Sequence, residues 1–257
     1  MEPSNSDNNL DTAVFTPNLY IPTERHIFPL LSDAIWSLLG AKINLPESVK
    51  AFGAEFEQAR NTSSQLQIPF LNIHYRRENG RDFVYYAHEK AVPLANSASG
   101  YQAVVPLLVT VEHQREHCGD SRFIIEEPEL NLYPTAQKDL IYNLVSGLDP
   151  KKAYGGTEWV FTTHSPYVLS ALNTLMLAYK VAHQSEENRT KVEAIIPARH
   201  WINPDDFAAY YVDEGTVRSI INPKTGLISD NELDDVSEDL AGEQDQLLEL
   251  YRSFLHA

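Results

Sequence analysis

Two short and largely apolar segments constrain the fold of this chain most. Each is followed by polar residues and then by a stretch with the apolar spacing of a helix. Residues 122–125 (RFII) run into Glu126, Glu127 and a proline, and residues 159–163 (WVFTT) run into a His-Ser-Pro sequence. After each segment, apolar residues recur at helical spacing. The order strand–helix–strand–helix over residues 121–200 favours a parallel sheet with covering helices. We therefore predict an α/β fold for this part of the chain.

The first hundred residues have a different pattern, which predicts a separate lobe of helices and a hairpin. Apolar spacing predicts helices over about 26–40 and 46–60. The β-rich segments IPFLNIHYRR and RDFVYYAHEK flank ENG at 78–80, which is typical of a hairpin turn. A further helix is expected from Tyr101 to about Cys118.

The remaining segments complete the predicted organisation. A helix is expected from about Tyr167, an exposed loop over 182–192, a strand over 194–197, and a hairpin formed by FAAYYVDEG and TVRSIIN. The chain as a whole is predicted to have four parts: a disordered lead at 1–11, a helical and hairpin lobe with a ligand-binding loop at 12–120, an α/β core at 121–228, and an acidic tail with an amphipathic helix, QLLELYRSFL, at 229–257.

Charge and composition restrict the setting of the protein. The formal net charge of −16 argues against broad electrostatic binding to nucleic acid, although a local basic patch leaves that question open. The single cysteine excludes a disulfide framework and fits a reducing compartment. No apolar run approaches the roughly 18–20 residues that span a bilayer, and the polar N-terminus does not resemble a signal peptide. We expect a cytoplasmic protein that has no membrane segment.

The adjacent carboxylates Glu126 and Glu127 are the first candidate site residues. The carboxyl ends of strands in open α/β sheets are where ligands bind, and a buried strand holds its end rigidly. One acid at such an end can hold Mg²⁺, while the next can orient and deprotonate an attacking water molecule. The alternative is a strand end whose charges are solvated, with Pro128 simply ending the strand.

Two further motifs could face the same ligand. His164 follows the second buried strand, where an imidazole can hydrogen-bond a phosphate, or can make an ordinary structural hydrogen bond. The segment SASGYQ at 97–102 opens a helix, and the free amides of a helix N-terminus form an anion site. Ser97 or Ser99 could instead act only as an N-cap.

These three motifs, in this order, resemble the C-terminal part of an ABC-type ATPase. A Ser-Gly-x-Gln sequence precedes a helix, one strand ends in EEPExxLxP, and the next ends in TTHSP. The pattern is most similar to the AAA-type, OLD-like ATPases of bacterial defence and toxin–antitoxin loci. The resemblance covers residues 95–175 firmly and extends loosely to YYVDEG and back to YIPTER.

The resemblance implies a role for each motif and a set of ligands and partners. Glu126 is implied as the Mg²⁺-side acid, Glu127 as the catalytic base, and His164 as the switch histidine that senses the γ-phosphate. The signature loop that contacts ATP on a second subunit is implied to consist of Ser99, Gly100 and Gln102. The ligands are then ATP and Mg²⁺, bound at a dimer interface, and nucleotide-driven closure would regulate an effector, in antiphage defence.

One element of that family is not found in this sequence. The P-loop, GxxxxGK followed by Ser or Thr, cradles the β- and γ-phosphates, but the chain has no Gly-Lys dipeptide. We expect the N-terminal P-loop part of the fold to be absent, with LYIPTER resembling the segment that joins the nucleotide core to the helical lobe. The chain is then either a fragment whose P-loop half lies elsewhere, or a degenerate subunit that offers its signature face to a P-loop-bearing partner. Alone, it is expected to bind ATP poorly.

Other functions are less well supported by the sequence. His113 and His117 lie one helical turn apart and could bind zinc, but a polar helix end explains them as well, because the metalloprotease pattern needs Glu where Gln114 stands. Leu132 is followed by Tyr133 and not by the aspartate of transporter-type ABC proteins. A non-catalytic interaction subunit that retains the fold is the alternative from a different functional class.

Overall fold

The computed structural model describes residues 18–31, 44–86, 90–117, 121–146, 157–229, 240–248 and 251–252. The strands are β1 Asn18–Ile21, β2 Gln65–Ile68, β3 Ile73–Glu78, β4 Arg81–Tyr85, β5 Ala91–Pro93, β6 Arg122–Glu126, β7 Glu158–Thr162, β8 Tyr210–Asp213 and β9 Thr216–Ser219. The α-helices are α1 Phe28–Leu31, α2 Glu47–Thr62, α3 Ser99–His117, α4 Pro134–Val145, α5 Pro166–Ala182 and α6 Glu186–Glu193. Residues 240–248 and 251–252 are also helical.

A parallel three-stranded sheet in the order β1–β6–β7 carries the candidate site. In its register Tyr20 lies beside Ile124, and Ile124 beside Val160. Alternate residues such as Ile21, Phe123 and Ile125 are fully buried on one face, because side chains alternate along a strand. The α/β fold with a parallel sheet and covering helices is therefore confirmed. The structure adds β1 to this sheet, whereas the sequence placed LYIPTER within the preceding lobe, as a segment that joins this lobe to the nucleotide core.

The predicted hairpin is part of a four-stranded antiparallel sheet, in the order β2–β3–β4–β5. Its turn is formed by Asn79 and Gly80, whose positive φ values of 51° and 78° suit a tight hairpin turn between twisted strands. Helices α2 and α3 pack together beside this sheet. Buried residues of both sheets belong to one hydrophobic cluster, which includes Phe52, Tyr75, Leu107, Phe123 and Leu140.

The segment after α5 differs from its prediction in two places. The loop expected over 182–192 is wrong, because Glu186–Glu193 is a helix, capped by the Ser185 hydroxyl, which accepts a hydrogen bond from the amide of Asn188. The strand expected over 194–197 is also wrong, because these residues continue as helix-end turns. Apart from Val192 the residues of α6 are polar, so no apolar period revealed the helix, whereas its N-cap and acidic first turn favour it.

Most other predicted elements lie close to where the sequence indicated. The helices predicted at 46–60, from Tyr101 and from Tyr167, and the hairpin of β8 and β9, are confirmed. Of the helix predicted over 26–40, only residues up to 31 are described, and the lead at 1–11 lies outside the described residues. Residues 240–245, which precede the predicted C-terminal helix, are helical, and so are the described residues of that helix. None of the described helices combines the length and the apolar character needed to span a membrane.

Candidate functional site: the carboxyl edge of the parallel sheet

The predicted acids and the predicted histidine lie at the same edge of the parallel sheet. Glu126 is the last residue of β6 and is paired in register with Thr162, the last residue of β7. The Glu127 amide continues this ladder by donating to the carbonyl oxygen of Thr162 at 2.9 Å. His164 follows two residues after Thr162 and is exposed. The ends of the two strands therefore bring both acids and His164 to one edge of the sheet.

The backbone of Glu127 has an unusual conformation. Its φ is 40°, in the left-handed region that residues other than glycine rarely adopt. The carbonyl oxygen of Glu127 accepts a hydrogen bond from the amide of Leu130 at 3.0 Å, which closes a turn after the strand. Conformations of this kind persist only where surrounding contacts hold them, and they are concentrated at functional sites.

The carboxylate of Glu126 is half-buried beside β1. Its Oε2 accepts a hydrogen bond from the backbone amide of Thr23 at 3.4 Å. Burial and a hydrogen bond to Glu126 raise the pKa of the neighbouring Tyr20 phenol to about 12. The described residues contain no group of three or more His, Cys, Asp or Glu that could hold a metal. A Mg²⁺ ion here would have one carboxylate ligand from this chain, completed by phosphate oxygens and water, a combination that Mg²⁺ commonly accepts.

A third carboxylate, Glu129, connects the ends of the two strands. It is only 8% exposed. Its Oε1 accepts hydrogen bonds from the Thr163 hydroxyl at 2.6 Å and from the His164 amide at 3.2 Å. Its Oε2 is buried and has no hydrogen-bond partner among the described residues. The sequence showed Glu129 within the motif but gave it no role, whereas the structure shows that it fixes the backbone of His164.

The largest fully buried side chain of the described residues, Arg25, also lies at this edge. Its guanidinium donates to the carbonyl oxygens of Glu126 at 2.7 Å and of Glu127 at 2.5 Å. It also donates to the carbonyl oxygens of Pro22 at 2.9 Å and of Ala103 at 3.2 Å. Sequence reasoning missed this residue, and its only signal was the placement of an arginine in the YIPTER segment.

Burial and charge act in opposite directions on Arg25. Burial lowers the pKa of its guanidinium to about 10, and the negative charges of Glu129, Glu127 and Glu126 oppose that change. The side chain therefore remains protonated at neutral pH. A buried cation surrounded by carbonyl oxygens and three carboxylates follows the rule that buried charges are paired and hydrogen-bonded.

The segment predicted as a signature loop lies against the turn that follows the acids. Ser99 is exposed at the start of α3, whereas Gly100 is buried. A Cβ atom at Gly100 would lie 2.8 Å from the carbonyl oxygen of Asn131. Glycine is therefore needed at this position for close packing, which the sequence did not indicate.

The other polar groups of this loop make contacts within it. The Gln102 side-chain amide donates to the carbonyl oxygens of Ala95 at 2.9 Å and of Ser97 at 3.0 Å. The Ser97 hydroxyl donates to the carbonyl oxygen of Leu94 at 2.7 Å, so it does not act as the N-cap of α3. The loop is thus held in shape by Gln102, and Ser99 is its exposed hydroxyl.

Replacing Gly100 with alanine is expected to lower the free energy of unfolding by about 1–3 kcal/mol. The added methyl group would meet a backbone oxygen, which has little freedom to move away, and this outweighs the gain in helix propensity of about 0.5–1 kcal/mol. Urea denaturation of the purified chain measures the change. Gly242→Ala is the matched control, because the same methyl group at that helical glycine would meet nothing within 4 Å. Equal stabilities of Gly100→Ala and the unmodified chain would contradict the packing role.

The two histidines considered for zinc lie away from this edge, at the end of α3. Their ring centroids are 4.4 Å apart, and the Nδ1 of His117 lies 2.9 Å from the carbonyl oxygen of His113. His113 is buried, and this burial lowers its pKa. No third ligand stands beside them in the described part of the chain, and Cys118 lies outside it. The structure therefore gives the zinc interpretation no support.

Comparison with known proteins identifies the family of the chain. A solved structure from work on the ATP-driven dimerization and DNA-stimulated activation of SMC ATPases aligns with a TM-score of 0.37 and 9% sequence identity, over 76% of this chain and 96% of that chain. A similarity this distant carries no argument about function. No curated protein matches the chain. The family model described as AAA ATPase domain matches residues 30–169, which is more than half of the 257 residues. The chain therefore belongs to the AAA ATPase domain family.

Proposed function

We propose that this protein is a subunit or fragment of an ABC-type, OLD-like protein that hydrolyses ATP. The observation that carries the proposal is the arrangement of Glu126, Glu127 and His164 at the ends of two adjacent parallel strands. Phosphoryl transfer requires little covalent chemistry from the protein, so catalysis depends on positioned charges and on an oriented water molecule. An acid pair held by a rigid strand end beside an exposed imidazole is suited to that task.

Each of these residues has a distinct role in the proposal. Glu126 is the ligand on the Mg²⁺ side, and the bound ion supplies neutralisation of phosphate charge. Glu127 orients the attacking water and accepts its proton. His164 contacts the γ-phosphate through an imidazole whose backbone amide is fixed by Glu129. The donor set fits Mg²⁺ and water, but it contains no group that cradles the β-phosphate.

The phosphate cradle must come from residues other than these 257, because the sequence contains no P-loop motif. A P-loop joins a strand to a helix. Among the described strands, β7 is paired only with β6, and its Val160 side chain is 46% exposed. A parallel strand beside β7 would place its loop at the edge that holds Glu127 and His164. This geometry favours a P-loop supplied to β7 by a partner or by another part of the protein.

The proposal extends to how the protein assembles and to its biological role. ATP would be bound between a P-loop and the signature loop of a second subunit, where Ser99 is exposed at the start of α3. Closure around ATP would then regulate an effector protein in antiphage defence. The resemblance of the EEPExxLxP motif to OLD-like ATPases supports this part of the proposal.

A second candidate function is a catalytically incomplete interaction subunit that does not hydrolyse ATP. The absence of a P-loop motif favours it for the isolated chain. The hydrogen bonding of Gln102 within its own loop also favours it, because the side-chain amide already donates to the carbonyl oxygens of Ala95 and Ser97. In this case the chain would only contribute a surface to a complete ATPase partner.

The two candidates differ in the turnover of Mg-ATP. Hydrolysis and equilibrium ATP binding are measured for the chain alone and for the chain mixed with a P-loop-bearing protein encoded beside it. We expect negligible turnover from the chain alone and clear turnover from the mixture. The turnover of the mixture should depend on Glu126 and Glu127 of this chain. Turnover in the mixture that survives removal of both acids would favour the interaction subunit, and no turnover in any mixture would contradict the ATPase proposal.

A further inference from the structure

We propose that Arg25 is a positioning residue, which holds the backbone of Glu127 and the start of α3 in one rigid unit. The role of Glu127 as a base rests on the proposed ATPase function, whereas the rigid unit rests on the contacts of Arg25 alone. These contacts join parts of the chain that are about a hundred residues apart, since Glu126 and Glu127 are separated from Arg25 by 101 and 102 positions.

The geometry of the guanidinium group suits this role. Arginine offers five N–H donors in a fixed planar fork, and no other side chain can serve several acceptors in this way. Here the fork reaches four carbonyl oxygens in three segments: Pro22 after β1, Glu126 and Glu127 at the end of β6, and Ala103 in α3. A lysine ammonium is a point charge with three donors, and it could not reproduce this pattern.

Burying the guanidinium group of Arg25 has an energetic cost. A buried charge is expensive, and apolar residues of similar volume often stabilise a core equally well. A side chain needed only to fill space between β1, β6 and α3 would therefore not be an arginine. Because Arg25 is fully buried and is hydrogen-bonded only to carbonyl oxygens in the described structure, its function is to fix backbone positions.

The backbone conformation of Glu127 needs such a restraint. A left-handed residue with a side chain must be held by its surroundings, and the contact of 2.5 Å from Nη2 of Arg25 to the carbonyl oxygen of Glu127 provides such a restraint. The direction of the Glu127 carboxylate follows from its backbone. Removing the guanidinium would leave the Leu130 amide as the one remaining hydrogen bond to the Glu127 carbonyl oxygen among the described residues.

Arg25 also connects Glu127 to the proposed signature loop. The carbonyl oxygen of Ala103, which Arg25 contacts, lies one turn after Gly100, and Gly100 itself packs on Asn131 in the turn after the acids. Two independent contacts therefore connect the start of α3 to the segment that carries Glu127. A displacement of this helix end on partner binding would reach the acid pair directly.

Hydrogen exchange of the full chain tests the rigid unit without any need for ATP hydrolysis. In Arg25→Lys, which keeps the charge but loses the fork, we expect amide exchange to rise at least about tenfold in both 99–105 and 122–132, with little change in α5. Arg25→Gln is a second variant in case the lysine variant does not fold. Arg122→Lys is the matched control, because the same change is made on β6 at an exposed arginine paired with Glu158.

The second measurement is turnover by the completed assembly. Displacement of the base should lower kcat about 10- to 100-fold while KM changes less than about twofold, because substrate binding depends on other groups. Exchange that stays unchanged in both segments, or that rises equally throughout the chain, would overturn the proposal. Faster exchange confined to the two segments, in a protein that hydrolyses no ATP in any mixture, would support the rigid unit and contradict the ATPase function.

Discussion

Replacing Glu127 with glutamine is expected to lower the kcat of the completed assembly by roughly 10²–10⁴-fold, which is the usual contribution of a positioned general base. Glutamine has almost the same shape as glutamate, but its neutral amide cannot accept a proton from the attacking water. ATP binding should remain, because the substitution leaves the Mg²⁺-side carboxylate of Glu126 unchanged. Steady-state hydrolysis and equilibrium ATP binding, measured on the same preparation, separate the two effects.

The structure indicates that this substitution leaves the fold intact. Among the described residues, the hydrogen bonds that hold Glu127 run through its main chain, to Thr162, Leu130 and Arg25, and not through its carboxylate. The thermal midpoint should therefore change little. Glu24→Gln is the matched control, since Glu24 is an exposed glutamate in the turn that contains Arg25. Unchanged turnover in Glu127→Gln, or an equal loss in Glu24→Gln, would remove Glu127 from the role of base.

The acids and the histidine could be predicted from the sequence because each follows a short apolar strand. A strand that ends in polar residues identifies its own carboxyl end, and parallel strands bring such ends to one edge. That argument uses only neighbouring residues. It therefore placed Glu126, Glu127 and His164 at one edge without any knowledge of the packing.

The residues that hold this edge could not be predicted in the same way. Arg25 acts on Glu127 across 102 positions of sequence, and no local pattern carries that information. The reason for Gly100 lies in a contact with Asn131, which is visible only once both loops are placed. Helix α6 was missed for the opposite reason: its stability comes from a cap and polar pairs, while the prediction depended on apolar spacing.

The largest expected effect on stability concerns Asp82, on the antiparallel sheet. This side chain is 7% exposed and accepts hydrogen bonds from the Tyr75 hydroxyl and from Arg60, each at 2.7 Å, and from Arg77 at 3.1 Å. Asp82→Ala would leave a buried arginine and a buried phenol without this partner. Breaking a buried ion pair in this way costs about 3–5 kcal/mol, because the remaining charge is not compensated.

Two further substitutions make this prediction specific. Tyr75→Phe removes one hydrogen bond to Asp82 and should cost only about 1 kcal/mol. Asp139→Ala removes a partly exposed carboxylate that pairs with Lys138, and its effect should be within about 1 kcal/mol. Urea denaturation gives the three values on one scale.

Because the antiparallel sheet and the parallel sheet share one hydrophobic cluster, the loss of stability in Asp82→Ala should appear as a single shifted transition. If Asp82→Ala unfolds at the same urea concentration as the unmodified chain, the nearby carboxylate of Glu57, which also pairs with Arg60 and Arg77, must be sufficient to hold both arginines.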